Sequence, residues 1–344
     1  QRLANLGRSL AHGGVKRVWK RLLILAVAAV LAAGGGAYFW AKQAIVAPGP
    51  GTVDTRVIIE RGSGLNQIAW QLHREGVIAH PRLFLGLAQW RGLTASLKAG
   101  EYLFPAGISL EAALGRIARG EVEIHTLTIP EGLTSHAILE LLAATEGLTG
   151  DLPDDVAEGS LLPSTYDYLW GVDRGEIVRR MQAAMAAAVA EAWEARAEDL
   201  PIESPEDLVT LASIVEKETG LSDERAEVAG VFVNRLRLGM KLQSDPTTIY
   251  AVTGGKGTLG RGLRRSELAK ASPYNTYRID GLPPGPIANP GKGALMAVAQ
   301  PAETDALFFV ADGSGGHAFA TTLAEHRRNV ARWRKIERER KAQQ

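Results

Sequence analysis

The sequence predicts an α+β chain in three parts: one apolar helix of membrane-spanning length near the N-terminus, a small α+β module, and a larger α+β domain. Three observations predict it. A basic stretch free of acids precedes a single long apolar run. Short β-branched runs then alternate with segments of helical spacing. Finally, 344 residues exceed the roughly 100–200 of a typical domain.

The membrane helix rests on charge asymmetry. No Asp or Glu occurs before Asp54, whereas Arg2, Arg8, Lys16, Arg17, Lys20 and Arg21 lie ahead of "LLILAVAAVLAAGGGAYFW", Leu22 to Trp40. That run is about as long as the roughly 20 residues that cross a bilayer core. The flank predicts a cytoplasmic basic segment over 1–21 and a transmembrane helix over 22–41, with Tyr38, Phe39 and Trp40 as an aromatic belt and the remainder exported. A cleaved signal peptide is the competing reading, because "AAGGGA" offers small residues to a peptidase. The start at Gln1 reads as a missing or processed N-terminus.

A Pro/Gly linker over 42–55, "KQAIVAPGPGT" and its neighbours, should end the membrane helix. The module follows over 56–123. "RVIIE" reads as a strand and "GSG" as a turn, and "LNQIAWQLHREGVI" sets Leu65, Ile68, Ala69 and Leu72 at helical spacing. A helix near "PRLFLGLAQWRG" starts on proline, where a missing N–H matters least. "KAGEYLFPAG" reads as a strand and turn, and Ser109 caps "LEAALGRIARGE".

The larger domain, 124–341, opens with the strand "IHTLTIP" and a helix from Thr134 to Thr145. "GDLPDDVAEGSLLPSTYDYLWG" has little periodicity and reads as a long loop packed by its own aromatics. An Ala-rich helix runs from Arg174 to Glu198. The last helix, "LAEHRRNVARWRKIERERKAQQ", carries both charge signs, which fits a solvated amphipathic helix packing Val330 and Trp333.

Composition removes several function classes. Lys plus Arg is 39 against 38 Asp plus Glu, too balanced for a nucleic-acid binder that must neutralise phosphates. Cysteine is absent, which removes disulfides, thiolate metal sites and a thiol nucleophile. The glycines of "GGKGTLGRG" form no phosphate-binding pattern, and no His/Asp/Glu spacing for a metal is evident.

Chemistry is most concentrated at the helix that begins near Ser204, where "SPED" supplies a cap, a first-turn proline and two acids. At about 100° per residue, Leu208, Leu211, Ala212, Val215 and Thr219 share one face. Glu218 borders that face, Glu216 lies further round, and Lys217 points to solvent. The two glutamates sit about 200° apart, so they cannot flank one bond. Glu218 meets an apolar stripe and the negative end of the helix, and both favour the protonated form that a general acid needs. The plainer reading makes both glutamates surface acids pairing with Lys217 or Arg225, and geometry alone does not choose.

Downstream come polar and aromatic clusters without an evident core role. "LQSDPTTIYAV" carries Gln243, Asp245, Thr247 and Tyr250; "SPYNTYRIDGLPPGPIANPG" carries Tyr274, Asn275 and Tyr277; "ADGSGGHAFA" carries His317. Amides, hydroxyls and rings lining a cleft suit sugars. Each cluster alone is weak, since Pro246 can mark only a turn, Tyr274 can be core, and a lone His317 is more often structural.

Taken together, "LASIVEKET", "VFVNRLRLGMKLQSDPTTIY", "YNTYRIDGLPPGPIANPG" and "FFVADGSGGHAF" closely resemble the YceG-like family of endolytic murein transglycosylases. The resemblance covers nearly the whole chain, including the single anchor and a module that looks like a LysM-type glycan-binding domain. It implies a membrane-anchored lyase of the bacterial inner membrane, with a cytoplasmic N-terminus and a periplasmic catalytic domain. Such a lyase cuts the β-1,4 bond between N-acetylmuramic acid and N-acetylglucosamine in nascent peptidoglycan to give 1,6-anhydro ends. It implies peptidoglycan strands as substrate, an association with peptidoglycan synthases, and no cofactor, metal or nucleic acid.

The family's catalytic glutamate in E-K-E-T falls on Glu218, followed by Thr219. One carboxyl suffices there: it protonates the leaving oxygen, then takes the proton of the C6 hydroxyl that closes on C1. The resemblance places Tyr274 and Asn275 in substrate positioning, and Thr219, Gln243, Asp245 and Tyr250 in glycan binding. Ser164 stands where the family's Pro-Asp-Thr-Tyr pattern carries an acid. Two other classes remain open: a lysozyme-type hydrolase with Asp245 as the second carboxylate, and a non-catalytic scaffold that holds glycan near the synthesis machinery.

Overall fold

The computed structural model describes residues 6–342, with side chains over 19–342; Gln1 and Arg2 of the basic flank lie outside the described residues. The chain divides into two compact units, Gln1–Ile124 and His125–Gln344.

In the first unit, α1 (Leu6–Val46) is one continuous helix whose segment Trp19–Val46 is long and apolar enough to cross a membrane. Leu23, Ile24, Leu31 and Phe39 stand exposed on it, which lipid accepts and water disfavours. The helix continues past Ala41 through residues assigned to the linker. It ends at Val46, just before Pro48, whose ring disfavours helical geometry in the residue ahead of it. The Gly49 N–H then donates to the carbonyls of Gly107 and Ile108 at 3.2 Å. A Cβ on Gly49 would lie 2.4 Å from the Ile108 oxygen, so only glycine permits this approach.

The unit continues through β1 (Thr55–Ile59), α2 (Leu65–Arg74), α3 (Pro81–Trp90), β2 (Gly100–Phe104) and α4 (Leu110–Arg119). β1 pairs antiparallel with β2, Val57 opposite Tyr102. Alternation turns Val57 and Ile59 inward onto Ile68 and Leu72 of α2, Phe84 of α3, and Leu114 and Ile117 of α4. Ser109 caps α4 by accepting from the Ala112 N–H.

The second unit begins with β3 (Ile124–Thr128), α5 (Ser135–Ala144), β4 (Leu148–Thr149), β5 (Thr165–Leu169), β6 (Val172–Asp173) and α6 (Arg174–Glu194). β3 pairs with β5, and β4 with β6 in parallel. The segment expected to be one loop therefore contains a strand. In β5, Tyr166 and Tyr168 point inward while Thr165, Asp167 and Leu169 point out, a period of two masked by flanking turn formers.

Next come α7 (Pro205–Glu218), α8 (Ser222–Arg237), α9 (Asp245–Thr253), α10 (Arg265–Ala269), α11 (Lys292–Ala299), the antiparallel pair β7 (Phe308–Ala311) and β8 (His317–Ala320), and α12 (Leu323–Ala342). α7 starts in a full capping box, Ser204 and Asp207 each accepting from the other's backbone. The spacing predicted one apolar face, but every residue from Leu208 to Val215 is buried, because α6, α8, α9 and α11 all pack on α7. Its two inner hydroxyls are satisfied locally, Thr210 donating to the Glu206 carbonyl and Ser213 to that of Thr210. The site grows at the C-terminal end of this central helix.

Candidate active site

Glu218 is the last helical residue of α7, and Thr219 is the C-cap. It opens onto a cleft of about 650 Å³ whose other walls come from Arg235 of α8, the turn into α9, Tyr277, β7, His317 and α12. Ser244, the residue before α9, donates its hydroxyl to Glu218 Oε1 at 2.5 Å. Ser244 is in turn fixed by its N–H donating to the Thr276 hydroxyl at 3.0 Å.

The Glu218 carboxyl is pushed up to about 6, chiefly by burial, with the Asp245 carboxylate adding to it; Ser244, His317 and Arg235 offset part of the rise. Arg235 is a buried cation. Its Nε and Nη1 donate to the carbonyls of Leu307 and Leu242, both at 2.6 Å, and its guanidinium lies 5.3 Å from the Phe308 ring centre. Burial lowers its pKa, while Glu218 and Tyr277 hold it up. A fixed positive charge thus stands behind a carboxyl that can ionise.

Asp245 faces the same cleft and accepts the Tyr277 hydroxyl at 2.7 Å. Burial raises the Tyr277 hydroxyl's pKa, and that hydrogen bond raises it further. Gln243 is exposed in the cleft and is the one described non-glycine residue with positive φ, at 51°. Its N–H donates to the Thr276 carbonyl at 3.2 Å. Left-handed backbone at such a residue is strained and tends to mark functional sites.

Of the sequence-derived candidates, then, Glu218, Gln243 and Asp245 meet in one cleft. Tyr250 does not. It lines a second cavity of about 390 Å³ with Lys217, Pro246, Ile249 and Thr253, its hydroxyl hydrogen-bonded to Glu158 and its ring 4.8 Å from that of Tyr274. Asn275 is 1% exposed. Its amide donates to the carbonyls of Glu267, Leu268 and Lys270, and its oxygen accepts from the Thr248 hydroxyl and the Tyr277 N–H. With every polar atom committed, it shapes the turn that carries Tyr277 and leaves nothing to offer a ligand directly. Thr219 is likewise interior, donating to Glu224 at 2.5 Å.

Glu216, expected on a more solvated face, has a side chain only 5% exposed. It accepts the Gly291 N–H at 2.9 Å and lies 3.6 Å from Arg225, tying α7 to the start of α11. Ser244, Arg235 and Glu224 escaped the sequence reading. Ser244 sits between two chosen residues, and Arg235 falls three residues after Phe232 on a buried face, where a lone cation is unusual.

Comparison with known proteins identifies the family. The YceG-like family pattern matches residues 57–332. An endolytic murein transglycosylase of Streptococcus pneumoniae (strain D39) is 30% identical over 326 residues, covering 79% of this chain and 57% of that protein. One from Bacillus subtilis (strain 168) is 28% identical over 324 residues, covering 85% and 88%. The chain thus spans a little over half the length of the streptococcal relative. The crystal structure of a yceG-like protein from Listeria monocytogenes aligns with a TM-score of 0.50 at 28% identity, over 80% of this chain and 99% of that one. Since the family pattern covers residues 57–332, most of the chain, the chain belongs to the YceG-like family.

Proposed function

We propose that this chain is a lytic transglycosylase that cuts the β-1,4 bond between N-acetylmuramic acid and N-acetylglucosamine within peptidoglycan strands and leaves 1,6-anhydro ends. One observation carries the reading: a single carboxyl, Glu218, holds its proton up to about pH 6 in the wall of an open cleft. The relatives' name, endolytic murein transglycosylase, supports the same substrate.

Glu218 gives its proton to the leaving oxygen as the C1–O4 bond breaks. Once ionised it is the final acceptor for the proton of the C6 hydroxyl, whose oxygen closes on C1. Ser244 keeps the carboxyl oriented, and Arg235 stabilises its anionic form in the second half. Gln243, Asp245 and Tyr277 contact the sugar, while Thr219 and Asn275 act through their neighbours. Tyr250, its ring backed by that of Tyr274, offers a further surface for glycan at the second cavity.

The same reading seats 22–41 in the plasma membrane with the basic flank in the cytoplasm. Only 47–55 then remains as a link, 56–123 serves as a LysM-like glycan module, and 124–341 forms the catalytic domain. Cutting strands as they are made would bring the chain beside peptidoglycan synthases. Because Asp245 shares the cleft, a lysozyme-type hydrolase is the second reading. Mass analysis of glycan treated with the purified full chain decides between them: anhydro ends for the lyase, reducing ends for the hydrolase, uncut strands if the chain only binds. Glu218→Gln is expected to abolish the anhydro product.

A further inference from the structure

A second proton-handling group stands in the cleft, and the reaction above has not used it. His317, at the start of β8, shares the cleft wall with Glu218. Its Nδ1 lies 2.7 Å from Glu224 Oε1, and its backbone N–H donates to Glu224 Oε2 at 3.0 Å. One carboxylate therefore fixes both the ring and its main chain. Glu224 is fixed in turn by the Thr219 hydroxyl at 2.5 Å, and Thr219 directly follows Glu218. Two side-chain hydrogen bonds and one peptide unit thus set the imidazole against the catalytic carboxyl.

The ring is also clamped laterally, edge-on to Phe309 at 5.2 Å and to Phe319 at 6.5 Å between centres. With Nδ1 committed to Glu224, Nε2 is the nitrogen left. It has no hydrogen-bond partner among the described residues, and the side chain retains 16% exposure. Burial pushes the Glu224 carboxyl up, but the hydrogen bonds from Thr219 and His317 outweigh it, so Glu224 stays ionised. A carboxylate at Nδ1 selects the tautomer with the proton there and leaves Nε2 as an acceptor. The other charges around the ring are Glu218 and Asp312, with Arg235, His326 and Arg334 across the cleft.

We propose that His317 is a second catalytic residue of this cleft: its Nε2 takes the proton of the C6 hydroxyl and hands it to Glu218. The inference rests on the transglycosylase reading. With Oε1 engaged by Ser244, Glu218 has one oxygen free to meet the leaving group, and the imidazole relieves it of reaching the C6 hydroxyl as well. The C1–O4 bond breaks as the Glu218 proton moves to O4. The C6 oxygen bonds to C1 as its own proton moves to Nε2. The imidazolium, stabilised by Glu224, then returns that proton to the Glu218 carboxylate, which restores both groups with no added reagent.

The test is the steady-state release of 1,6-anhydro ends by the full chain in detergent. His317→Ala should lower kcat by about 10²–10³-fold with KM changed by less than about threefold, the range expected for a lost proton-transfer group. Added imidazole, which can take the space vacated by the side chain beside Phe309 and Phe319, should restore kcat at least roughly tenfold. Should His317→Ala fail to fold, His317→Gln, polar but not basic, is expected to show the same kcat loss. A kcat close to wild type, or a loss that imidazole leaves untouched, overturns the relay. Wild-type chain that releases no anhydro ends would sink the transglycosylase reading and the relay together. Wild-type chain that releases them beside an unaffected His317 variant sinks only the relay.

Discussion

Ionising Glu218 works against its surroundings, and that makes its charge a stability term as well as, on the proposed reading, a catalytic one. The folded chain holds this proton up to about pH 6, whereas the unfolded chain releases it near the ordinary 4.5. Between those values the native state binds more protons, so stability falls as pH rises across the window and stays reduced above it. The difference amounts to about 2 kcal/mol at neutral pH. Glu218→Gln should therefore raise the melting temperature by several degrees near pH 8 and leave it almost unchanged near pH 4, while removing activity. Thermal melts at the two pH values check it. The neighbours tune the same proton in opposite senses. Ser244→Ala removes a donor to the carboxylate and should move the alkaline limb of kcat/KM upward from about 6. Asp245→Asn removes a like charge and should move it downward. Pseudo-first-order rates across pH for both variants test the signs. The position of Glu218 was legible in the sequence because a helix end and an apolar stripe can be counted along the chain, while its proposed role came from the family resemblance. Ser244, Arg235 and Glu224 were not, since each matters through a distant partner: 26 positions away for Ser244, 72 for Arg235 and 93 for Glu224.

At the scale of elements, the helices were read well where caps and period agreed, as at Ser109, Thr134 and Ser204. The strand β5 was missed because two inward tyrosines in five residues are too few to show a period among Pro, Asp and Ser. α7 was read as one-faced because its polar residues, Thr210 and Ser213, satisfy themselves on nearby carbonyls and so can be buried. The contact of α7 with α11 makes a prediction. Glu216→Ala leaves the Gly291 N–H without its acceptor and the Arg225 guanidinium with Glu131 as its remaining carboxylate, and should destabilise the fold by about 1–3 kcal/mol. Glu216→Gln keeps an oxygen for Gly291 and should be nearly neutral. Both should retain kcat, which urea titration run beside an activity assay would reveal.

At the scale of the molecule, the buried apolar cluster of the first unit shares no residue with the two of the second. Each can melt on its own, so calorimetry of the full chain should resolve two transitions. Phe84→Ala, at a fully buried position of the first unit, should weaken that unit by about 3–5 kcal/mol and lower only its transition. A single transition shifted as a whole would contradict it. α1 adds a mechanical consequence. Its helix runs without interruption from the apolar span to Val46, and the next few residues are stitched to the module by Gly49. With the span seated in a bilayer, the first unit is mounted on a stiff post instead of a leash. It can spin about the post, but it has little freedom to sag or reach. Tension on the first unit would then be felt as a pull on the membrane-seated helix, with no slack to take up first.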